Sequence, residues 1–187
     1  MARRYPALED AHREFIAAQQ MFFVATAGRE GAVNLSPKGL DSLRVLDASH
    51  LAWLNLTGSG NETAAHLRLD GRMTLMFCAF EGDPLILRLY GQARAVHQHD
   101  AEWEEWVTLF PSRTGARQVV LMDVQQVQTS CGFGVPLFAF KGQRQLLPRW
   151  AEKKGQAGLE QYWREKNAVS LDGLDTGTVD SHAEEGG

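Results

Sequence analysis

Apolar and polar positions divide this chain into short β-like segments separated by turns, with helical spacing in a few places. Alternating or continuous apolar runs predict strands at residues 21–27, 32–35, 43–46, 51–56, 73–80, 85–96 and 119–127. Apolar residues recurring every three or four positions predict helices at residues 8–20, 61–70, 100–110 and 145–167. Two glycines, Gly155 and Gly158, weaken the middle of the last helix.

Six or seven short strands with only two internal helices favour an antiparallel α+β barrel, closed or partly closed, over a parallel sheet. The run 85–96 is long enough to bend around such a barrel. Strict alternation in the last strand predicts one face made of Val119, Leu121, Asp123, Gln125 and Val127. We expect Trp103 and Trp106, at i and i+3 of one helix, to share a packing face.

The composition indicates three parts in the 187 residues: a barrel domain with its N-terminal helix at 1–143, a helical extension at 144–168, and a mobile tail at 169–187. A net charge of −4 argues against nucleic acid or an anionic membrane as partner. No apolar leader or membrane-length run is seen, so a cytoplasmic protein is expected. Cys78, in an apolar run, and Cys131, in a Gly-rich loop, are then expected to be reduced thiols.

The segment after the fourth strand predicts an anion site. Thr57, Gly58, Ser59 and Gly60 form a turn whose glycines let backbone N–H groups approach a ligand, and Asn61 is placed to cap the helix. The N-terminus of that helix adds about half a positive charge, which suits a phosphate. The alternative is a polar turn that binds only water. Neither nucleotide fingerprint is present, since Thr63 stands where a third glycine would be needed and no Gly-Lys-Ser/Thr run occurs.

Four segments together resemble the pyridoxamine 5′-phosphate oxidase-like proteins, the FMN-binding split barrels: residues 33–39, 44–46, 54–63 and 72–80. The likeness spans about residues 15–127, and the loop 131–136 is similar to a C-terminal signature of one uncharacterised branch. The resemblance implies a split β-barrel and a homodimer with FMN at two sites between the subunits.

The resemblance also implies which residues lie at the cofactor. The end of the second strand would lie near the flavin, and residues 57–63 would surround the phosphate and ribityl chain. The oxidases carry a basic residue where Thr63 stands, so Lys38, Arg44, Arg72 or Arg88 would have to supply the missing charge. The aromatic rings of Phe133 and Trp150 are candidates to cover the isoalloxazine. The candidate cofactor-binding residues are Ser36, Pro37, Lys38, Gly39, Arg44, Thr57, Gly58, Ser59, Gly60, Asn61, Glu62, Thr63, His66, Arg88, Phe133 and Trp150.

These features predict an FMN-dependent oxidoreductase of unknown small-molecule substrate, with no catalytic residue assigned because the cofactor carries the chemistry. Vitamin B6 oxidase activity is not predicted, since the sequence shows no clamp for a substrate phosphate. The alternative is a non-catalytic module that binds or senses flavin or haem. No metal site is predicted: His97 and His99 are expected to end a strand in solvent, without a Cys or carboxylate at ligand spacing.

Overall fold

The computed structural model describes residues 2–179, which form eight strands and four helices. In chain order these are β1 (Arg3–Tyr5), α1 (Asp10–Ala18), β2 (Phe22–Thr26), β3 (Asn34–Lys38), β4 (Leu43–Val45), β5 (His50–Leu56), α2 (Glu62–Leu69), β6 (Arg72–Cys78), β7 (Ile86–His97), α3 (Trp103–Val107), β8 (Ala116–Ser130) and α4 (Leu146–Lys166). Within this part of the chain, no helix combines the length and apolar character needed to cross a bilayer.

One antiparallel sheet has the order β3-β2-β6-β7-β8-β5-β4, and the short β1 pairs with β8. The sheet curls into a half-barrel. Phe22 on β2 and Trp53 on β5 are separated by three strands along the sheet, yet their ring centroids lie 6.3 Å apart. The predicted α+β split barrel is therefore confirmed.

Alternating side chains fill the barrel, among them Val24, Leu75 and Leu89, none of which has measurable exposure. The opposite face of β5 and β8 is also covered, because Leu54 and Val119 pack against Val107 and the neighbouring Phe110 at α3. This double coverage explains the continuous apolar run of β5. Trp103 and Trp106 join the second layer, as predicted.

Local details differ from the sequence pattern. The register of β7 and β8 shifts after Tyr90, which lies opposite Gln126, so that the next residue, Gly91, lies opposite Val124. The shift exchanges the two faces of β8, and Val119 and Val127 belong to different clusters. The strand predicted at residues 32–35 is observed as β3, Asn34–Lys38. It continues through Pro37 because β3 lies at the edge of the sheet, where a proline is tolerated.

The chain after α4 does not leave the domain at once. Thr176 is fully buried, and its hydroxyl donates to the Asn167 carbonyl at 2.6 Å. Residues 167–178 thereby lie over the start of α2 and β8. Residues 169–178 belong to the segment for which the sequence predicts a mobile tail. The last part of that tail, residues 180–187, falls outside the described residues. Gly155 interrupts α4 with φ 66° and ψ 170°, at the weak point seen in the sequence.

Candidate functional site

The edge strand β3 turns alternate side chains towards the barrel mouth. Asn34, Ser36 and Lys38 are partly buried on the inner face, whereas Leu35 and Pro37 are exposed on the other face. The Asn34 amide nitrogen donates to Thr26 Oγ1 and to Thr63 Oγ1, each at 3.0 Å. β3 is thus tied to the first turn of α2, and its inner face runs from that helix to Lys38.

The Lys38 side chain lies over the Trp53 ring inside the barrel. Its ammonium is 5.1 Å from the Trp53 ring centroid, and the buried indole N–H of that tryptophan has no hydrogen-bond partner. Burial, and secondarily the charge of Arg117, lower the pKa of Lys38 to about 8. Among residues 2–179 no carboxylate lies within ion-pair distance of this lysine. The site therefore holds an uncompensated cation.

The turn at residues 57–60, predicted from the sequence to bind phosphate, is held by hydrogen bonds on one side. The buried Thr57 hydroxyl donates to the Gly115 carbonyl at 2.8 Å and accepts from the Trp163 indole at 2.9 Å. The Gly58 carbonyl accepts from the Asn167 amide at 3.1 Å. Of the next three residues, Ser59 and Gly60 are exposed to solvent, whereas Asn61 is buried. These hydrogen bonds hold one side of the turn, and its other side is accessible to solvent.

Asn61 does not cap α2, which corrects the prediction from sequence. Its side chain makes no capping hydrogen bond. Its amide nitrogen donates instead to Thr178, and its oxygen accepts from Asn55 at 3.4 Å. Because the cap is absent, the first N–H groups of α2 have no side-chain partner from Asn61 and stay available to a ligand. The glycines of the turn also keep φ outside the left-handed region.

Arg117 is a site residue that sequence reasoning missed. It is 3% exposed, and its guanidinium donates to the Gly60 carbonyl at 3.2 Å and to Asn167 Oδ1 at 2.6 Å. Burial lowers the pKa of Arg117 to about 9, which leaves it charged at neutral pH, and its Nε has no partner. The apolar pattern starts at Val119, so nothing in the sequence placed Arg117 inside the protein. The available signal was a charged residue directly after Ala116, two positions before the apolar run of β8.

The other predicted cations have partners elsewhere. Arg44 pairs with Asp41 at 2.8 Å and donates to the Leu109 carbonyl, beside the Phe110 ring. Arg72 pairs with Asp70 at 2.7 Å. Arg88 donates to Ser130 Oγ at 3.2 Å. Among the described residues none of these three bonds to the turn, whereas the buried Arg117 does.

The remaining candidates divide between the site and other surfaces. His66 is buried, with Nδ1 3.1 Å from Thr26 Oγ1 and an unpartnered Nε2. Glu62, at the start of α2, accepts the Leu171 backbone N–H. Trp150 packs edge-on against Tyr162, and Phe133 is 81% exposed. Trp150 belongs to the cluster of Trp163, whose indole bonds to Thr57, and among the described residues neither ring is hydrogen-bonded to the turn.

A cavity of about 420 Å³ opens beside Lys38. Pro37, Lys38 and Gly39 form one wall, and the segment carrying Phe140 and Gln143 forms the other. Gln143 fixes the gap by donating to the Gln20 carbonyl at 2.9 Å and accepting from the Leu40 N–H at 3.3 Å. The cavity has the mixed apolar and polar lining typical of small-molecule sites.

His97 is not in solvent as predicted but buried, and the described residues contain no group of three side chains placed to bind a metal.

Comparison with known proteins identifies relatives of this chain. Residues 8–131 match the family model described as pyridoxamine 5′-phosphate oxidase. The chain is 38% identical over 188 aligned positions to the pyridoxamine 5′-phosphate oxidase family protein ustO of Aspergillus flavus, covering 91% of this chain and 76% of that protein.

Solved structures share the fold at lower sequence identity. HupZ of Group A Streptococcus superposes with a TM-score of 0.51 at 21% identity, over 64% of this chain and 91% of that one. A structure described as a putative pyridoxamine 5′-phosphate oxidase from Lactobacillus delbrueckii gives a TM-score of 0.51 at 18% identity, over 66% of this chain and 94% of that one. The family model and the Aspergillus relative together carry the assignment: this chain belongs to the pyridoxamine 5′-phosphate oxidase family.

Proposed function

We propose that this protein binds FMN and is an oxidoreductase acting on a small molecule, working as a cytoplasmic homodimer with the flavin between the subunits. The observation that carries the proposal is the buried Arg117, which donates to the Gly60 carbonyl of an open Gly-rich turn, together with the partly buried Lys38 at the far end of β3. Neither cation has a carboxylate partner in residues 2–179. A buried charge without a counter-ion is costly, and a bound anion removes that cost.

The turn and the start of α2 fit the phosphate end of such a ligand. The N–H groups of Ser59 and Asn61 have no hydrogen-bond partner among the described residues. Thr63 accepts from Asn34 through its oxygen, which leaves its O–H free to donate. The carboxylate of Glu62 accepts the Leu171 N–H and lies beside Gly60, so a bound phosphate would require this flexible side chain to turn away. Arg117, bonded to the Gly60 carbonyl on the opposite side of the turn, would attract the phosphate through its charge and not by direct contact.

The isoalloxazine would then lie towards Lys38. Asn34 and Lys38 are four residues apart on β3, about 13 Å at ~3.3 Å per residue, so one extended ligand can reach both ends. Ser36 lies between them on the same face. Once bound, the flavin supplies transfer of hydride or electrons, and these side chains hold and orient it. Lys38, with its lowered pKa, can donate a hydrogen bond or a proton near neutral pH.

Exposed apolar side chains support the proposed dimer. They occur on β3 and its preceding turn, in the long segment before α4 and at the first residue of α4, and comprise Val33, Leu35, Phe133, Leu137, Phe138, Phe140 and Leu146. Covering this surface by a second copy would remove it from water and enclose the cavity beside Lys38. The free and exposed thiol of Cys131 agrees with a reducing compartment such as the cytoplasm.

The test is the absorbance of the purified protein, with and without added flavin. Bound FMN is expected to give bands at about 370 and 450 nm, as free flavins do. A colourless protein that takes up neither FMN nor FAD would overturn the proposal.

Reduction of the bound flavin by NADH or NADPH, followed by reoxidation with oxygen or a quinone, would support an enzyme. Flavin that no such donor reduces would support a binding or sensing role instead. Pyridoxamine 5′-phosphate belongs in the same assay, and rapid hydrogen peroxide production from it would establish the vitamin B6 oxidase activity that the sequence does not predict.

A further inference from the structure

Residues 167–178, here called the C-terminal strap, bind to the turn and to α2 at several points. Asn167 bonds to both Gly58 and Arg117, the Leu171 N–H donates to Glu62, and the Thr178 hydroxyl accepts from Asn61 and Gln118. Asn167 is fully buried. The strap therefore contacts the residues that the proposed phosphate site is made of.

These contacts fix the direction of the peptide groups in the turn. The Gly58 carbonyl points at Asn167 and the Gly60 carbonyl points at Arg117. In a trans peptide the N–H of the next residue points the opposite way. The N–H groups of Ser59 and Asn61 are therefore directed away from the strap, towards the open side of the turn. Without Asn167, nothing described holds the first of these peptides in that orientation.

The chemistry of Asn167 also preserves the charge of Arg117. An aspartate at this position would form a buried ion pair with the guanidinium and cancel its attraction for an anion. The neutral amide instead offers one acceptor to Arg117 and one donor to Gly58. Both hydrogen bonds are satisfied, and the positive charge stays uncompensated.

We propose that the C-terminal strap presets the turn for phosphate, with Asn167 as the positioning residue that aims the backbone N–H groups outward and keeps Arg117 free of a counter-ion. This inference rests on the proposed binding of FMN at the turn. It predicts that selectivity for FMN over riboflavin, which lacks the phosphate, depends on a residue about 110 positions away in sequence.

The decisive variant is Asn167→Asp, which has nearly the same size. FMN affinity is expected to fall at least about tenfold, whereas riboflavin affinity should stay within about twofold, because only the phosphate senses the added charge. Asn167→Ala and Thr178→Val should each weaken FMN several-fold by loosening the turn. Dissociation constants are measured by quenching of flavin fluorescence, with circular dichroism to confirm folding.

Asp172→Ala is the matched control. Asp172 lies in the same strap, but its carboxylate accepts from the Ala32 N–H in the β2–β3 connection rather than from the turn. It should leave the ratio of FMN to riboflavin affinity unchanged. An equal loss in this control, or full FMN affinity in folded Asn167→Asp, would overturn the inference.

Hydrogen–deuterium exchange of the ligand-free protein gives an independent readout. Peptides covering residues 57–63 should exchange faster in Asn167→Ala than in wild type or Asp172→Ala. Unchanged exchange would show that the strap does not hold the turn and would refute the inference even if FMN binds. If the wild type binds FMN no better than riboflavin, the phosphate assignment fails first and the inference fails with it.

Discussion

The ammonium of Lys38 lies 5.1 Å from the Trp53 ring, although the two residues belong to strands near opposite ends of the sheet order. The curl of the barrel brings them together, and burial lowers the pKa of Lys38 from 10.5 to about 8. The folded state thus disfavours the charged lysine. At pH values between 8 and 10.5 the unfolded chain binds more protons, so stability from this group rises with pH across that window.

Lys38→Met should remove this dependence. From pH 7 to pH 9 the free energy of unfolding of the wild type is expected to rise by about 1 kcal/mol relative to the variant, since each pKa unit corresponds to about 1.4 kcal/mol. Urea denaturation at several pH values measures the difference. Parallel pH profiles for the two proteins would mean that the ammonium is well solvated.

The type of most elements followed from the sequence, and particular residues explain why. Residues 51–54 of β5 form a continuous apolar run because Trp53 faces the barrel and Leu54 faces α3. β1 was not predicted because Arg3, Arg4 and Tyr5 carry no apolar pattern, although the strand pairs with β8 and Tyr5 packs against the core. The exchange of faces in β8 depends on the bulge opposite Gly91, which residue alternation cannot reveal.

The site was only partly predictable for a similar reason. The Gly-rich turn and Lys38 are local signals that are visible in the sequence, and their role at a cofactor stays a prediction. Arg117 and Asn167 meet the turn through tertiary contacts between residues 50 or more positions apart. Arg44 and Arg88 looked equally suitable in sequence, but Asp41 and Ser130 bind their guanidinium groups. Which cation stays unpaired is decided by its neighbours in space.

His97 should make the protein sensitive to acid. Burial, followed by the charge of His99, lowers the pKa of His97 from 6.5 to about 4. Between these values the unfolded chain takes up a proton that the folded protein does not, so stability falls as pH decreases from about 6.5 towards 4. The wild type should lose about 2 kcal/mol between pH 7 and pH 5 relative to His97→Gln. Thermal or urea unfolding at both pH values tests this, and equal losses would contradict it.

Leu35 provides a test of the proposed dimer. It is 63% exposed on the outer face of the edge strand β3, so Leu35→Asp should not disturb the barrel itself. If a second copy covers this face, the buried charge should convert the dimer to monomer at micromolar concentration. Light scattering measures the mass. Leu69→Asp, at an exposed leucine ending α2, is the matched control and should stay dimeric.

Thr63 joins two parts of the site. Its oxygen accepts the Asn34 amide, so Thr63→Ala should cost about 1 kcal/mol of stability in the ligand-free protein and weaken FMN binding several-fold to tenfold. Riboflavin should be nearly indifferent to the change. Thr63→Ser, which keeps the hydroxyl, should restore most of both losses. A variant that loses FMN and riboflavin affinity equally would place the phosphate elsewhere.

Gly60 offers the cleanest separation of ligand binding from folding. A Cβ added there would meet only the end of the flexible Glu62 side chain, at 3.3 Å, and the residue has no left-handed φ that would strain alanine. Gly60→Ala should therefore change the free energy of unfolding by no more than about 0.5 kcal/mol. A phosphate approaching the turn backbone would collide with the new methyl group, so FMN affinity should fall about tenfold or more, and Gly60→Val should lose more still. Riboflavin should lose much less.

Gly134→Ala, where a Cβ would meet nothing within 4 Å, is the control. Unchanged FMN affinity in Gly60→Ala would show that the phosphate does not approach this turn.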